Sequence, residues 1–436
     1  MSRRSSRREF LRRSSCGSAA LAAWGLADLN HFGSLPVLKA EDVSARDIVR
    51  FRPEIEPLVE LLERTPRAEL LEVVGQRIRK GLSYQHLLAA LFLAGIRNIQ
   101  PRPAVGFKFH GVLAVNAAHL ASLASPDELR WLPIFWSLDY FKATQQQDVE
   151  EGDWTMPAVN ESAVPKPDRA AAQFGQAMND WDEAAADAAA AGFARSAGAG
   201  AVFEQLFRFG ARDFRSIGHK AIYVSNSYRT LNVIGWEHAE PVIRSLAYAL
   251  QNHQNDPNPA TSDLDADRPW KNNQSLAASF RKDWTSGVLS PDATRELLMA
   301  FRTATSDECC RVVTETINQG VSPQSVWDAI FLAGGELLLR QRGIVALHAL
   351  TSTNALRFAF DTAGDDMTRR LLLLQNTAFI PPFPAGNEEP WFRRRRGHHA
   401  TGGRAGEGIW HRCDRRDLRQ CQRRSEHGGA SNRWPC

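Results

Sequence analysis

Apolar positions along the chain recur at three- and four-residue spacing, and that rhythm predicts helices. From 52 to 80, Leu58, Val59, Leu61, Leu62, Leu70, Leu71, Val74 and Ile78 mark one face of a helical stretch. Ser83 to Ile99 is more uniformly apolar and belongs deeper, Arg97 to Pro103 interrupts, and His110 to Leu123 resumes. Ser125-Pro126-Asp127-Glu128 then caps a helix running through WLPIFWSLDYFK. An acidic, proline-rich loop at 151–167 leads to an alanine-rich helix over about 168–193, and strong packing returns over 201–250. QNDPNPATSDLDADRPW at 254–270 reads as a linker or long surface loop, because its few apolar side chains cannot offset the entropy of ordering. Helices follow over 273–284, 291–302 and 305–319, and TRRLLLLQNTAFI is the last apolar element. Strands need alternation bounded by turns, and this body offers almost none. The expected fold is all-α, a single multi-helix domain over 41–386.

One pattern recurs. GLSYQHLLAALFLAG at 81–95 matches GVSPQSVWDAIFLAG at 320–334 in its glycines, serine, glutamine and closing F-L-A-G. Beyond each match, His110 and Asn116 stand at the same separation as His348 and Asn354. We read this as an internal duplication of a helix-loop-helix unit, around 81–123 and 320–360, that brings His110 and His348 together near a pseudo-twofold axis.

The ends of the chain have a different composition. Six arginines and one glutamate in the first fifteen residues, with twelve arginines and four acids over 392–436, more than account for the net charge of +4. The body between them is acidic, which argues against a nucleic-acid-binding surface. Ser6-Arg7-Arg8-Glu9-Phe10-Leu11-Arg12, followed by CGSAALAAWGLADL, resembles a twin-arginine export signal. This implies a leader over 1–40, the twin-arginine export machinery as a partner, and a periplasmic or extracellular destination. Residues 387–436 have no periodicity and the composition of a GC-rich gene read out of frame, so we expect a disordered basic tail. No apolar run reaches the roughly 18 to 20 residues needed to cross a bilayer, so no integral membrane protein is expected. Of the six cysteines only the adjacent Cys309 and Cys310 lie in the body, and a buried thiol pair is the simplest account of them.

Candidate chemistry centres on histidine. His110 and His119 lie in FHGVLAVNAAHL, His348 in LHALTSTNALRF, and His219 in GHKAIYVSN, seven residues before Asn226. Neutral imidazole binds transition metals and exchanges protons near neutral pH. His110, His219, His348, His86 and His238 are therefore candidate ligands for iron or another transition metal. His110, His219, His348, His119 and Tyr223 are candidate catalytic groups, and Asn116, Asn226 and Asn354 candidate orienting or cofactor-binding groups. Asp139, Glu204 and Glu336 lie within apolar helices and can orient a histidine or act as a base. Trp131, Phe135, Trp136, Tyr140, Phe207 and Phe209 can line an aromatic pocket. The nucleophile elbow, the dinucleotide fingerprint, the P-loop and the H-E-x-x-H helix are all absent.

FHGVLAVNAAHL, GHKAIYVSNSYRTL and ALHALTSTNALR together resemble stretches of the questin-oxidase-like family, over scattered parts of residues 80–360. The resemblance implies a helical protein that oxidises an organic molecule, with His110, His219 and His348 at the matching positions. The expected function is an exported oxidoreductase acting on a small-molecule substrate at a histidine-lined interior site. A non-catalytic helical binding protein and a metal-dependent lyase or hydrolase are the alternatives.

Overall fold

Helices begin where the sequence supplies a cap. Ser83, Asp182, Ser290 and Asp365 each accept a hydrogen bond from a backbone N–H in the first turn of the helix that follows, and Thr305 with Glu308 forms a reciprocal capping box. The computed structural model describes residues 48–340 and 343–380, and the segments expected to be a leader and a basic tail lie largely outside them.

Sixteen α-helices occur among the described residues: α1 (Glu56–Arg64), α2 (Arg67–Arg79), α3 (Tyr84–Asn98), α4 (His110–Ala124), α5 (Leu132–Glu151), α6 (Pro167–Asp180), α7 (Glu183–Ser196), α8 (Ala199–Ala211), α9 (His219–Ile234), α10 (Ala239–Leu250), α11 (Arg268–Ala278), α12 (Pro291–Thr303), α13 (Ser306–Asn318), α14 (Pro323–Arg340), α15 (Ile344–Thr362) and α16 (Asp366–Phe379). No strand accompanies them among the described residues, where isolated bridges such as that between Val288 and Val321 are the nearest thing to a sheet. The protein is therefore all-α. No described helix is long and apolar enough to cross a membrane.

Two expected helices are each divided. Pro66 separates α1 from α2 because a proline ring blocks the continuing backbone hydrogen bond. The alanine-rich stretch breaks at Trp181, which turns left-handed at φ 58°, after which Asp182 caps α7. The segment at 254–270 departs from a plain surface loop: Asp267 is fully buried, and Gln254 N–H donates to the Pro103 carbonyl at 2.6 Å.

The two similar stretches share local features. Gly81 and Gly320 both have positive φ, 99° and 95°, ahead of α3 and α14, and each of those helices packs on the histidine-bearing helix that follows. The closing glycines correspond as well, Gly95 lying against Val112 and Gly334 against Leu350, and the duplication itself stays a proposal drawn from the sequence.

Helix α9 carries the architecture of the site. It packs against α4 on one side and α15 on the other, with α3, α8 and α10 also in contact with it. Ser225 Oγ donates to the Ala355 carbonyl of α15 at 2.8 Å, and Asn226 Nδ2 to the Leu113 carbonyl of α4 at 3.2 Å. These side-chain bonds fix the three helices in register.

Candidate metal centre

His110 and His219 are the first residues of α4 and α9, and His348 lies just past the first turn of α15. Each of the first two is delivered by a constrained approach. Gly106 at φ 144° and Phe107 at φ 46° precede His110, while Ile217 at φ 47° and Gly218 at φ 85° precede His219. A left-handed phenylalanine or isoleucine costs about 1–3 kcal/mol, and such strain gathers at functional sites. Gly218 has a further reason to be glycine, since a Cβ there would collide with the Ser352 hydroxyl of α15. Gly106 lies close against the His219 ring, where a Cβ would sit 3.2 Å from the imidazole.

The three rings meet edge to edge. His219 Nε2 lies 3.0 Å from His110 Nε2 and 2.9 Å from His348 Nε2, and the ligand-type nitrogens of all three fall within 4.8 Å of one another. Each Nδ1 has its own backbone carbonyl: Phe107 for His110 at 2.8 Å, Ser216 for His219 at 2.6 Å and Ile344 for His348 at 2.6 Å. A carbonyl only accepts, so each Nδ1 carries the proton, and each neutral ring is left with a lone pair on Nε2. The His219 lone pair thus faces those of His110 and His348 with no hydrogen among them.

A proton or a metal ion can resolve that convergence. Burial and the two neighbouring imidazoles push the His219 pKa down to about 3, and burial lowers His348 and His110 against the pull of their carbonyl partners. At neutral pH the rings are therefore neutral. The α4 and α9 N-termini add a positive field that further opposes a proton. For metal–nitrogen bonds of about 2.1 Å, two ligands stand about 3.0 Å apart at right angles and about 3.4 Å apart at a tetrahedral angle, so the His219–His110 and His219–His348 separations are short enough for a shared ion. The carbonyl bonds to Nδ1 are the outer-shell partners that hold metal-binding histidines in one tautomer. Among the described residues this is the one group of three or more His, Cys, Asp or Glu side chains close enough to share an ion.

The other candidates divide sharply. Asn116, Asn226 and Asn354 do gather, but beyond the rings: Asn116 Nδ2 donates to Asn226 Oδ1 at 3.4 Å, and Arg229 bridges Asn226 Oδ1 at 3.3 Å to Asn354 Oδ1 at 2.9 Å. Histidine level and asparagine level coincide on all three helices, so α4, α9 and α15 run side by side in one direction.

Tyr223 does not share the pocket. Its hydroxyl is buried and donates to Ser245 at 2.7 Å, with the ring edge-on to Phe109. His119, nine residues after His110, emerges on the opposite side of α4 and bonds the Tyr84 hydroxyl at 2.9 Å. His86 turns back onto Ser83, 2.9 Å away, and His238 is buried near His86 without joining the three rings. The acids are engaged elsewhere: Asp139 with Arg67, Glu336 with Arg302 and Arg340, and Glu204 with the backbone of Gly364 and Asp365. The aromatic candidates stack in separate pairs, Trp131 on Phe135 and Trp136 on Tyr140, while Phe207 packs on Phe203; Phe209 meets Phe174 edge-on. Cys309 and Cys310 are buried free thiols, raised by burial away from the thiolate form that binds metals.

Two features had no place in the sequence reading. The Phe107, Ser216 and Ile344 carbonyls are invisible to side-chain motifs. Arg229 lies in the quoted GHKAIYVSNSYRTL stretch, three residues past Asn226, and its helical spacing from His219 was the available signal. No family model matches the chain, and neither a curated protein nor a solved structure matches it.

Proposed function

We propose that His110, His219 and His348 bind one transition-metal ion and that the protein is a metal-dependent enzyme acting on a small organic molecule. The observation that carries this reading is the convergence of three Nε2 lone pairs whose tautomers are each set by a backbone carbonyl. A buried set of like acceptors facing one another is costly unless a cation completes it.

Oxidation is the leading reaction class. An all-imidazole set suits iron as well as zinc, and three protein ligands would leave positions open for substrate and a co-reactant. The likeness to the questin-oxidase-like family, which rests on the quoted residues, points the same way. A zinc-dependent hydrolase or lyase is the second reading, favoured by the all-neutral ligand set, which leaves the charge of the ion undiminished for polarising substrate or water. In both, the chain's own part is the same: the carbonyls orient the rings, burial keeps them unprotonated, and Gly106 seats the His219 ring. Export through the twin-arginine pathway, proposed from residues 6–12, fits a protein that acquires its metal before crossing the membrane.

The test is elemental analysis of the purified full chain beside a His219→Gln variant. Near one equivalent of a single transition metal per wild-type chain is expected, with none in the variant, and iron or copper against zinc separates the two reactions. Wild-type protein that stays metal-free after incubation with ferrous, cupric and zinc salts would defeat the proposal.

A further inference from the structure

Helix α9 is buried on most sides but keeps one partly exposed stripe, Ile222, Asn226 and Arg229, continuing from His219 at the spacing of a single helical face. Neighbouring stripes flank it, Ala114 and Ala117 on α4, with Leu347, Thr351 and Asn354 on α15. A partly exposed strip thus follows α9, with the histidine centre at one end and Arg229 toward the other.

Arg229 is set up to receive something. Its guanidinium lies 4.2 Å above the Phe358 ring and donates to the two asparagine carbonyls already described, all of them neutral groups. Among the described residues no carboxylate lies within ion-pairing distance of it. Two of its five N–H donors are used, and the asparagines are themselves oriented, since Asn226 Nδ2 is committed to the Leu113 carbonyl. A half-buried arginine held by amides and an aromatic face, without a counter-ion, is organised for a carboxylate or similar anion.

Resting on the metal-centre reading, we infer that Arg229 anchors the anionic end of the substrate, so that the enzyme acts on organic carboxylates with an apolar segment between the anchor and the reacting end. The seven residues from His219 to Asn226, where the guanidinium sits, set that separation at about 10 Å. Ile222 lies between the two ends along α9, partly exposed and apolar, where a hydrocarbon stretch would run.

Calorimetric titration of the full chain with octanoate and with octanol tests this. The carboxylate is expected to bind at least ten-fold more tightly than the alcohol. Arg229→Gln should abolish the preference, Arg229→Lys should keep part of it, and both variants should retain the metal content of the wild type. Equal affinity for acid and alcohol, no binding of octanoate, or a preference that survives Arg229→Gln would overturn the inference; if that surviving preference disappears in His219→Gln, the carboxylate sits on the metal instead. A wild-type chain without metal that still selects octanoate through Arg229 would refute the metal centre and leave the anchor standing.

Discussion

His219 and Lys220 are neighbours on α9, yet they enter opposite kinds of site. The Lys220 ammonium is fully buried against Asp213 at 2.9 Å and the Leu250 carbonyl at 3.0 Å, with Arg215 also 3.3 Å from Asp213. Burial would raise the Asp213 carboxyl, but Lys220 and Arg215 beside it carry it well below the usual carboxylate range. The Lys220–Asp213 pair is opposite charge meeting opposite charge, and the ammonium finds both its partners within the chain. The histidine side is like meeting like, and among the described residues no further His, Cys, Asp or Glu joins it. A closed set of partners marks a structural device, whereas an open one calls for something from outside.

The largest effect should come from opening the closed side. Lys220→Met leaves Asp213 buried beside fewer cations and is expected to cost about 3–5 kcal/mol of stability in urea denaturation, while the folded fraction still binds metal. Closing the open side comes next: saturating the wild-type chain with its metal at a hundred-fold excess over Kd should add about 2.7 kcal/mol, visible as a rise in Tm that a chelator reverses. The smallest change is the most discriminating. In metal-free protein His219→Gln should shift stability by no more than about 1 kcal/mol, because the glutamine amide can donate where the imidazole lone pair repelled, at the loss of the bond to Ser216. A destabilisation as large as that of Lys220→Met would mean that the rings are a structural knot, and the contrast between the two sides would collapse.

The helical rhythm was readable because apolar spacing records which face is buried, and the breaks came from local signals such as Pro66. The proximity of His110 and His348 was readable from the recurring histidine–asparagine spacing, which placed the two near a common axis but did not say that His219 would stand between them. In the structure both close contacts run through His219. Tyr223 and His119 show the limit of face counting: a residue one turn or nine positions away shares a helix with the site but faces whichever neighbour lies on its own side, and that neighbour is set by tertiary packing. The charged cluster was hidden for a similar reason. Asp267 comes from a segment whose composition says surface, and only its position beneath the chain entering α9 buries it. An imidazole has two nitrogens, so each of these histidines is capped by a carbonyl through Nδ1 and still presents Nε2 to its neighbours.

The spacing of the three histidines along the chain has a consequence for biosynthesis. Joining them closes loops whose ends are 109 and 129 residues apart, contacts that form late because so much chain entropy must be given up first. On the metal-centre reading proposed above, no nascent polypeptide ending before His348 could hold the ion with more than two of these rings, so a loaded centre would certify that the chain as far as α15 has emerged and docked.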